Sequence, residues 1–147
     1  MRDIEAEWRE LREQAEESSA FRASYEEILR LWSVETGEIE GLYDIERGVT
    51  ETLLIEGFDS PALGSGATDN PELTRQMLKD HREALDLVFD FIKSERALSV
   101  GFIHELHAAL TRSQSVISAQ DIKGEKVEVP LEHGKFKLLP NYPRRGD

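Results

Sequence analysis

The chain has 147 residues, and its 30 acidic against 18 basic side chains give a formal net charge of −12. Such a length predicts one domain or part of a larger one, and such a charge argues against a nucleic-acid partner, which needs clustered Lys and Arg. With no cysteine in the chain, disulfides, thiolate-bound zinc and a cysteine nucleophile are excluded together, and a reducing, cytoplasmic setting is expected. No apolar run approaches the ~18 residues of a membrane span, so no membrane partner is expected, and Met1–Arg12 is charged where a signal peptide is apolar.

The charge is unevenly spread. Residues 33–70 hold nine acidic side chains and one basic, whereas residues 111–147 hold five and seven. Blocks of this kind are ordinarily solvated faces.

Residues 1–32 read as an N-terminal helical segment. Ile4, Trp8, Leu11 and Ala15 recur at helical spacing, and Phe21, Tyr25, Ile28, Leu29 and Trp32 extend the apolar stripe. Ser18-Ser19 is a candidate break. A second helix is expected over 36–57, with Thr36 as its N-cap, Thr36-Gly37 as the preceding break and Gly57 as its stop. Residues 59–71 are rich in Gly, Pro and small polar residues, which predicts a mobile loop. Gly64-Ser65-Gly66 is no phosphate loop, because no strand precedes it and no Lys follows in place.

Two core helices are expected within 72–112. One starts near Pro71 and carries Leu73, Met77, Leu78, Leu85, Val88, Phe89 and Ile92. The other is capped by Ser99 and turns Phe102, Ile103, Leu106 and Leu110 inward. The period then changes: Val127, Val129 and Leu131 alternate, His133-Gly134 can turn the chain, and Phe136 and Leu138 resume the alternation. A β-hairpin is therefore expected within 125–147. Gly146-Asp147 reads as the middle of a turn whose return strand lies past the end of the sequence. The fold class is mostly α, about four to five helices with a β-hairpin near the C-terminus.

Few constellations carry chemistry. His104-Glu105-Leu106-His107 is one residue shorter than the zinc-protease spacing and has no evident third ligand, so a helix-face histidine pair is the better reading. His81 and His133 stand alone. No Gly-x-Ser-x-Gly elbow is present, and no metal site is expected. Thr36-Gly-Glu-Ile-Glu40-Gly41, taken by itself, reads as a helix start with favourable carboxylates near its N-terminus.

That same string, Thr36-x-x-x-Glu40-Gly41, resembles the (Ser/Thr)-x-x-x-Glu-(Gly/Asn) inhibitory helix of Fic-domain proteins. Gly134-Lys135-Phe136-Lys137, with Leu138 and Asn141 beyond it, is similar to the family's Gly-x-(Tyr/Phe)-Arg flap entry, Lys137 standing where relatives commonly carry Arg. The likeness spans roughly residues 30–147. It implies a helical Fic-like domain over 33–147, with an inhibitory helix over 36–57, core helices over 72–112 and a target-docking flap over 125–147. It also implies transfer of AMP from ATP, with Mg²⁺, to a protein Ser, Thr or Tyr hydroxyl. Thr36, Glu40 and Gly41 would regulate, and Gly134, Lys135, Phe136, Lys137, Leu138 and Asn141 would dock the target. A second copy of the chain is a further candidate partner. The family's His-x-Phe-x-(Asp/Glu)-Gly-Asn motif does not occur in this sequence. The resemblance is thus to a truncated, N-terminal part of such an enzyme, binding no cofactor and inactive alone. The alternative is a non-catalytic helical module that binds or inhibits a partner in trans.

Overall fold

In the computed structural model, residue 15 and residues 17–121 and 123–136 are described. Ile4, Trp8 and Leu11 lie outside them, as do Lys137, Leu138 and Asn141. The described residues are mostly helical, with one two-stranded antiparallel hairpin toward the C-terminal end. No helix among them is long and apolar enough to cross a membrane. The chain divides into two units, Met1–Leu78 and Lys79–Asp147.

In the first unit, α1 spans Ser19–Ile39 and starts at Ser18, whose hydroxyl accepts from the Phe21 N–H. The expected break at Ser18-Ser19 is present: residues 15 and 17 are helical, Ser18 is not, and a new helix starts after it. The buried side of α1 is Leu29, Ser33, Val34 and Gly37, a spacing of four, five and eight that faces one way. Phe21, Ile28 and Trp32, placed in the apolar stripe by sequence, are substantially exposed. Two small residues on the packed side open a groove, and the Tyr43 ring fills it. The Tyr43 hydroxyl donates to the Ser33 carbonyl at 2.9 Å, and Ser33 Oγ turns back to the Leu29 carbonyl at 2.8 Å.

Here the structure corrects the expectation of a helix over 36–57. α1 runs unbroken through Thr36-Gly37 and ends at Glu40, its C-cap. Gly41 takes φ +66°, its N–H donates to the Glu38 carbonyl at 3.0 Å, and the Leu42 N–H donates to the Gly37 carbonyl at 2.9 Å. This pair of bonds with a left-handed glycine is a Schellman motif. Thr36-x-x-x-Glu40-Gly41 thus closes a helix rather than opening one. Residues 40–46 turn the chain before α2, Arg47–Glu56. As expected, α2 stops at Gly57 (φ +94°), and Arg30 donates to the carbonyls of Leu54 and Ile55 at its end.

The core of this unit gathers Val34, Tyr43, Ile45, Leu53, Phe58, Leu63, Ala67, Met77 and Leu78. Leu63 and Ala67 come from the segment expected to be a mobile loop. Leu63 is 1% exposed, and Arg75 ties the loop down by donating to the carbonyls of Phe58 at 3.1 Å and Leu63 at 3.0 Å. Irregular backbone is not free backbone when its carbonyls and side chains are taken up in this way. The helix α3, Pro71–Lys93, opens where Pro71 predicts, with Asn70 Oδ1 accepting from the Leu73 N–H.

In the second unit, α4 spans Val100–Leu110 with Ser99 as its side-chain N-cap, as predicted. Phe102 is buried and stacks on Phe91 with ring centroids 3.9 Å apart, whereas Ile103 is about half exposed. The hairpin differs from expectation in its partner strand. β2, Lys126–Pro130, contains the predicted alternation, but it pairs backward with β1, Val116–Gln120, in the register Ile117↔Val129 and Ala119↔Val127. Asp121 makes this turn: its Oδ1 accepts from the N–H groups of Lys123 and Glu125, and Gly124 takes φ +86°. His133-Gly134 does turn the chain, but after the hairpin.

Candidate functional site

Two places hold the residues singled out by sequence, one in each unit. In the first, the Schellman end of α1 sets Thr36, Glu40 and Gly41 at the surface. Beside it opens a cleft of about 890 Å³ lined by Glu35, Glu38, Gly41, Asp44, Glu51 and Asp69, with Arg47 as the basic member and Leu42, Tyr43 and Ile45 as its apolar part. Thr36 and Glu40 are not among its lining residues; Glu38 is. Successive residues of a helix differ by about 100°, so Glu38 and Glu40 face nearly opposite ways.

The carboxylate of Glu40 makes no hydrogen bond or ion pair among the described residues. It is therefore an available acceptor, held on a helix end that two backbone hydrogen bonds fix. The Tyr43 hydroxyl next to the cleft is held well above the ordinary phenol range, chiefly by burial and secondarily by the charge of Glu38. Tyr43 stays a neutral hydrogen-bond donor at any physiological pH.

In the second unit, α4 carries the histidine pair and receives the turn that follows β2. The Gly134 N–H donates to His107 Nδ1 at 2.8 Å. His104 meets Phe136 edge-on, with ring centroids 4.5 Å apart. His133 Nε2 lies 2.7 Å from the Gln114 carbonyl oxygen, and Lys135 pairs with Glu132 at 3.5 Å. Among the described residues no three His, Asp or Glu side chains stand where they could hold a metal ion. Of the docking residues expected by sequence, Gly134 and Phe136 are brought to α4, and Lys135 pairs within the turn; Lys137, Leu138 and Asn141 lie outside the described residues.

Comparison with known proteins adds no relative: no family model, no curated protein and no solved structure matches the chain.

Sequence reasoning missed the use of His107 and His133. The pair at 104 and 107 was read correctly as lying on one helix face, but the partner of His107 is a backbone group 27 residues away. The one local signal was the glycine after His133, because its φ of +63° is a conformation other residues rarely take. A further ion pair lies at the end of α4. Arg112 forks onto both oxygens of Glu83 at 2.5 and 2.9 Å, and this hydrogen bonding holds the Glu83 carboxyl below its ordinary range. Both side chains are well exposed, so the contact contributes little. Asp80, which is buried, accepts from the Ser113 N–H at 2.8 Å and fixes the chain leaving α4.

Proposed function

We propose that this chain is the regulatory and target-docking portion of a Fic-type AMP transferase, with Glu40 as the brake on nucleotide use. The observation that carries this reading is the Thr36-x-x-x-Glu40-Gly41 string at a hydrogen-bonded helix end, where it presents a carboxylate unpartnered among the described residues. In the reading, Glu40 pairs with an arginine that would otherwise hold the nucleotide's γ-phosphate. Arg–carboxylate pairs are bidentate and strong enough to compete for it. Gly41 contributes by stopping the helix one residue after Glu40, which fixes where the carboxylate points. Thr36 lies one turn earlier on the same side.

The second support is the turn seated on α4, because Gly134, Lys135 and Phe136 enter the proposed flap from a fixed root. A target segment would add to the exposed backbone of that flap as an extended strand, which positions a hydroxyl with little demand on the surrounding sequence. The described residues do not fit ATP or Mg²⁺. The cleft beside α1 is lined by carboxylates, which repel phosphates, and no cluster of acidic groups stands at ligand spacing. In the reading, the nucleotide, the metal and the general base would belong to a segment carrying the His-x-Phe-x-(Asp/Glu)-Gly-Asn motif.

A second reading, a non-catalytic module acting on a partner in trans, is favoured by one observation. Five carboxylates and one arginine around an apolar floor suit a cationic partner segment. The reading frame past codon 147 separates the two. An in-frame His-x-Phe-x-(Asp/Glu)-Gly-Asn supports the enzyme, and an authentic stop codon supports the module. The purified 147-residue chain should transfer no AMP from ATP with Mg²⁺; labelled product from it would refute the assignment of the catalytic groups elsewhere.

A further inference from the structure

Gly134 is held in a way that only one protonation state of a histidine permits. A backbone N–H can only donate, so His107 Nδ1, 2.8 Å away, must offer its lone pair, and the ring proton must reside on Nε2. The seat has no slack. A Cβ at Gly134 would meet the His104 carbonyl oxygen at 2.8 Å and Ala108 Cβ at 3.0 Å, so the backbone of the turn lies directly on α4. His133 makes the opposite demand: its Nε2 faces a carbonyl oxygen, which only accepts, so that nitrogen carries a proton.

The two contacts therefore answer differently to acid. Protonating His133 leaves its donor in place. Protonating His107 turns its acceptor into a donor and sets two N–H groups against each other. We propose that the His107–Gly134 contact is an acid-sensitive latch, which holds the Gly134 backbone on α4 at neutral pH and releases it when His107 takes up a proton. The proposal concerns this unit alone and does not rest on the AMP-transfer reading.

Among the described residues, the charged and titratable groups around the latch are His104 and Glu105 on α4, and Glu132, His133 and Lys135 in the turn. Glu132 and Lys135 occupy each other at 3.5 Å. Beyond the end of α4, Arg112 engages Glu83 and lies 3.7 Å from Asp80. His81 of α3 is buried with interactions of its own. His104 is the other imidazole in contact with the turn: its ring meets Phe136 edge-on, and its Nε2 is buried without a hydrogen-bond partner among the described residues. The test must therefore separate His107 from His104.

Amide hydrogen exchange of the full chain, read at Gly134 and corrected for the intrinsic pH dependence of exchange, does so at about pH 7.5 and about pH 5, the span over which imidazoles gain a proton. Protection at Gly134 should fall about tenfold on acidification, the loss expected for one hydrogen bond, while the Leu106 amide within α4 keeps its own. In His107→Asn the amide oxygen takes the place of Nδ1 and does not titrate, so protection should persist at both values. In His107→Lys no acceptor remains, and protection should be low at both. The unaltered chain gives an independent reading through its ring-nitrogen chemical shifts, which should report the Nε2–H tautomer of His107 at about pH 7.5. Gly134 protection unchanged by acid, an acid-induced loss in His107→Asn equal to that of the unaltered chain, or an Nδ1–H tautomer would each overturn the latch.

Discussion

Gly37→Ala is the perturbation that tests the packing of the helix end most severely. Glycine in a helix interior costs about 1 kcal/mol relative to alanine, so on propensity alone this change should stabilise. The structure reverses the sign. A Cβ built on Gly37 falls inside the Tyr43 side chain and overlaps Cζ and the hydroxyl oxygen. Either the ring shifts and breaks its bond to the Ser33 carbonyl, or α1 bends away from it. Overpacking of this kind costs about 1–3 kcal/mol, and losing the tyrosine hydroxyl's hydrogen bond adds about 0.5–1.5 kcal/mol. Set against about 1 kcal/mol of helix propensity, the net loss should be about 0.5–3.5 kcal/mol. In a Tyr43→Ala background the ring is gone and the same change should stabilise by up to about 1 kcal/mol. Urea unfolding of the four proteins gives both values and their coupling. Gly37→Ala having one sign and one size in both backgrounds would refute the argument that Tyr43 is why residue 37 is glycine.

The remaining expectations are smaller in size. Gly41→Ala forces a side chain into the left-handed conformation of the Schellman turn and should cost about 1 kcal/mol in the same urea assay; no loss would mean the cap contributes nothing. Tyr43 is held above the ordinary phenol range, so its contribution is complete below about pH 10 and is lost as pH rises through its folded value. Absorbance titration should show one phenol ionising above the ordinary range, and Tyr43→Phe should remove it. Glu83 is held below its ordinary range by Arg112, so its contribution is present above the usual carboxylate range and lost on acidification. Because the pair is exposed, Glu83→Gln should cost less than about 1 kcal/mol at neutral pH, and the cost should vanish as acid protonates the carboxylate.

The features legible in the sequence are those settled by hydrogen bonds between near neighbours. Ser99 caps α4 because its hydroxyl meets an N–H three residues on. Gly57 ends α2 and Pro71 opens α3 for equally local reasons. Thr36-Gly37 was misread because a glycine after a threonine looks like a break, and what keeps it helical is a tyrosine ring six residues later. That ring is placed by the turn following the Gly41 cap, and nothing in the local spacing announces it. Gly41 is the residue that ends the helix, which moves the boundary by five positions and turns a start into a stop. The strand around Val127–Val129 was readable from its alternation. Its partner was not, because Val-Ile-Ser-Ala-Gln carries no charge to mark an outer face, and Asp121 rather than His133-Gly134 makes the turn. The loop at 59–71 was readable as loop, but not as core: Leu63 is one apolar residue among small polar ones, and its burial depends on the distant Arg75. His107 and Gly134 were each noticed separately. Only the fold brings a ring nitrogen on α4 against a backbone N–H that the sequence places far downstream.

The claim on which the functional account turns is that Glu40, fixed at a capped helix end, acts as a brake through its charge. The most direct measurement is transfer of labelled AMP to protein by a form of this chain extended through the catalytic motif, comparing the parent with Glu40→Gln and Glu38→Gln. Losing a charge-assisted hydrogen bond of about 1.5–3 kcal/mol from the inhibited state should raise the rate about tenfold or more in Glu40→Gln. Glu38 borders the acidic cleft and faces the other way, so Glu38→Gln should leave the rate near that of the parent. Activation by the Glu38 change with none by the Glu40 change would contradict the account and leave Thr36–Gly41 as a helix cap alone.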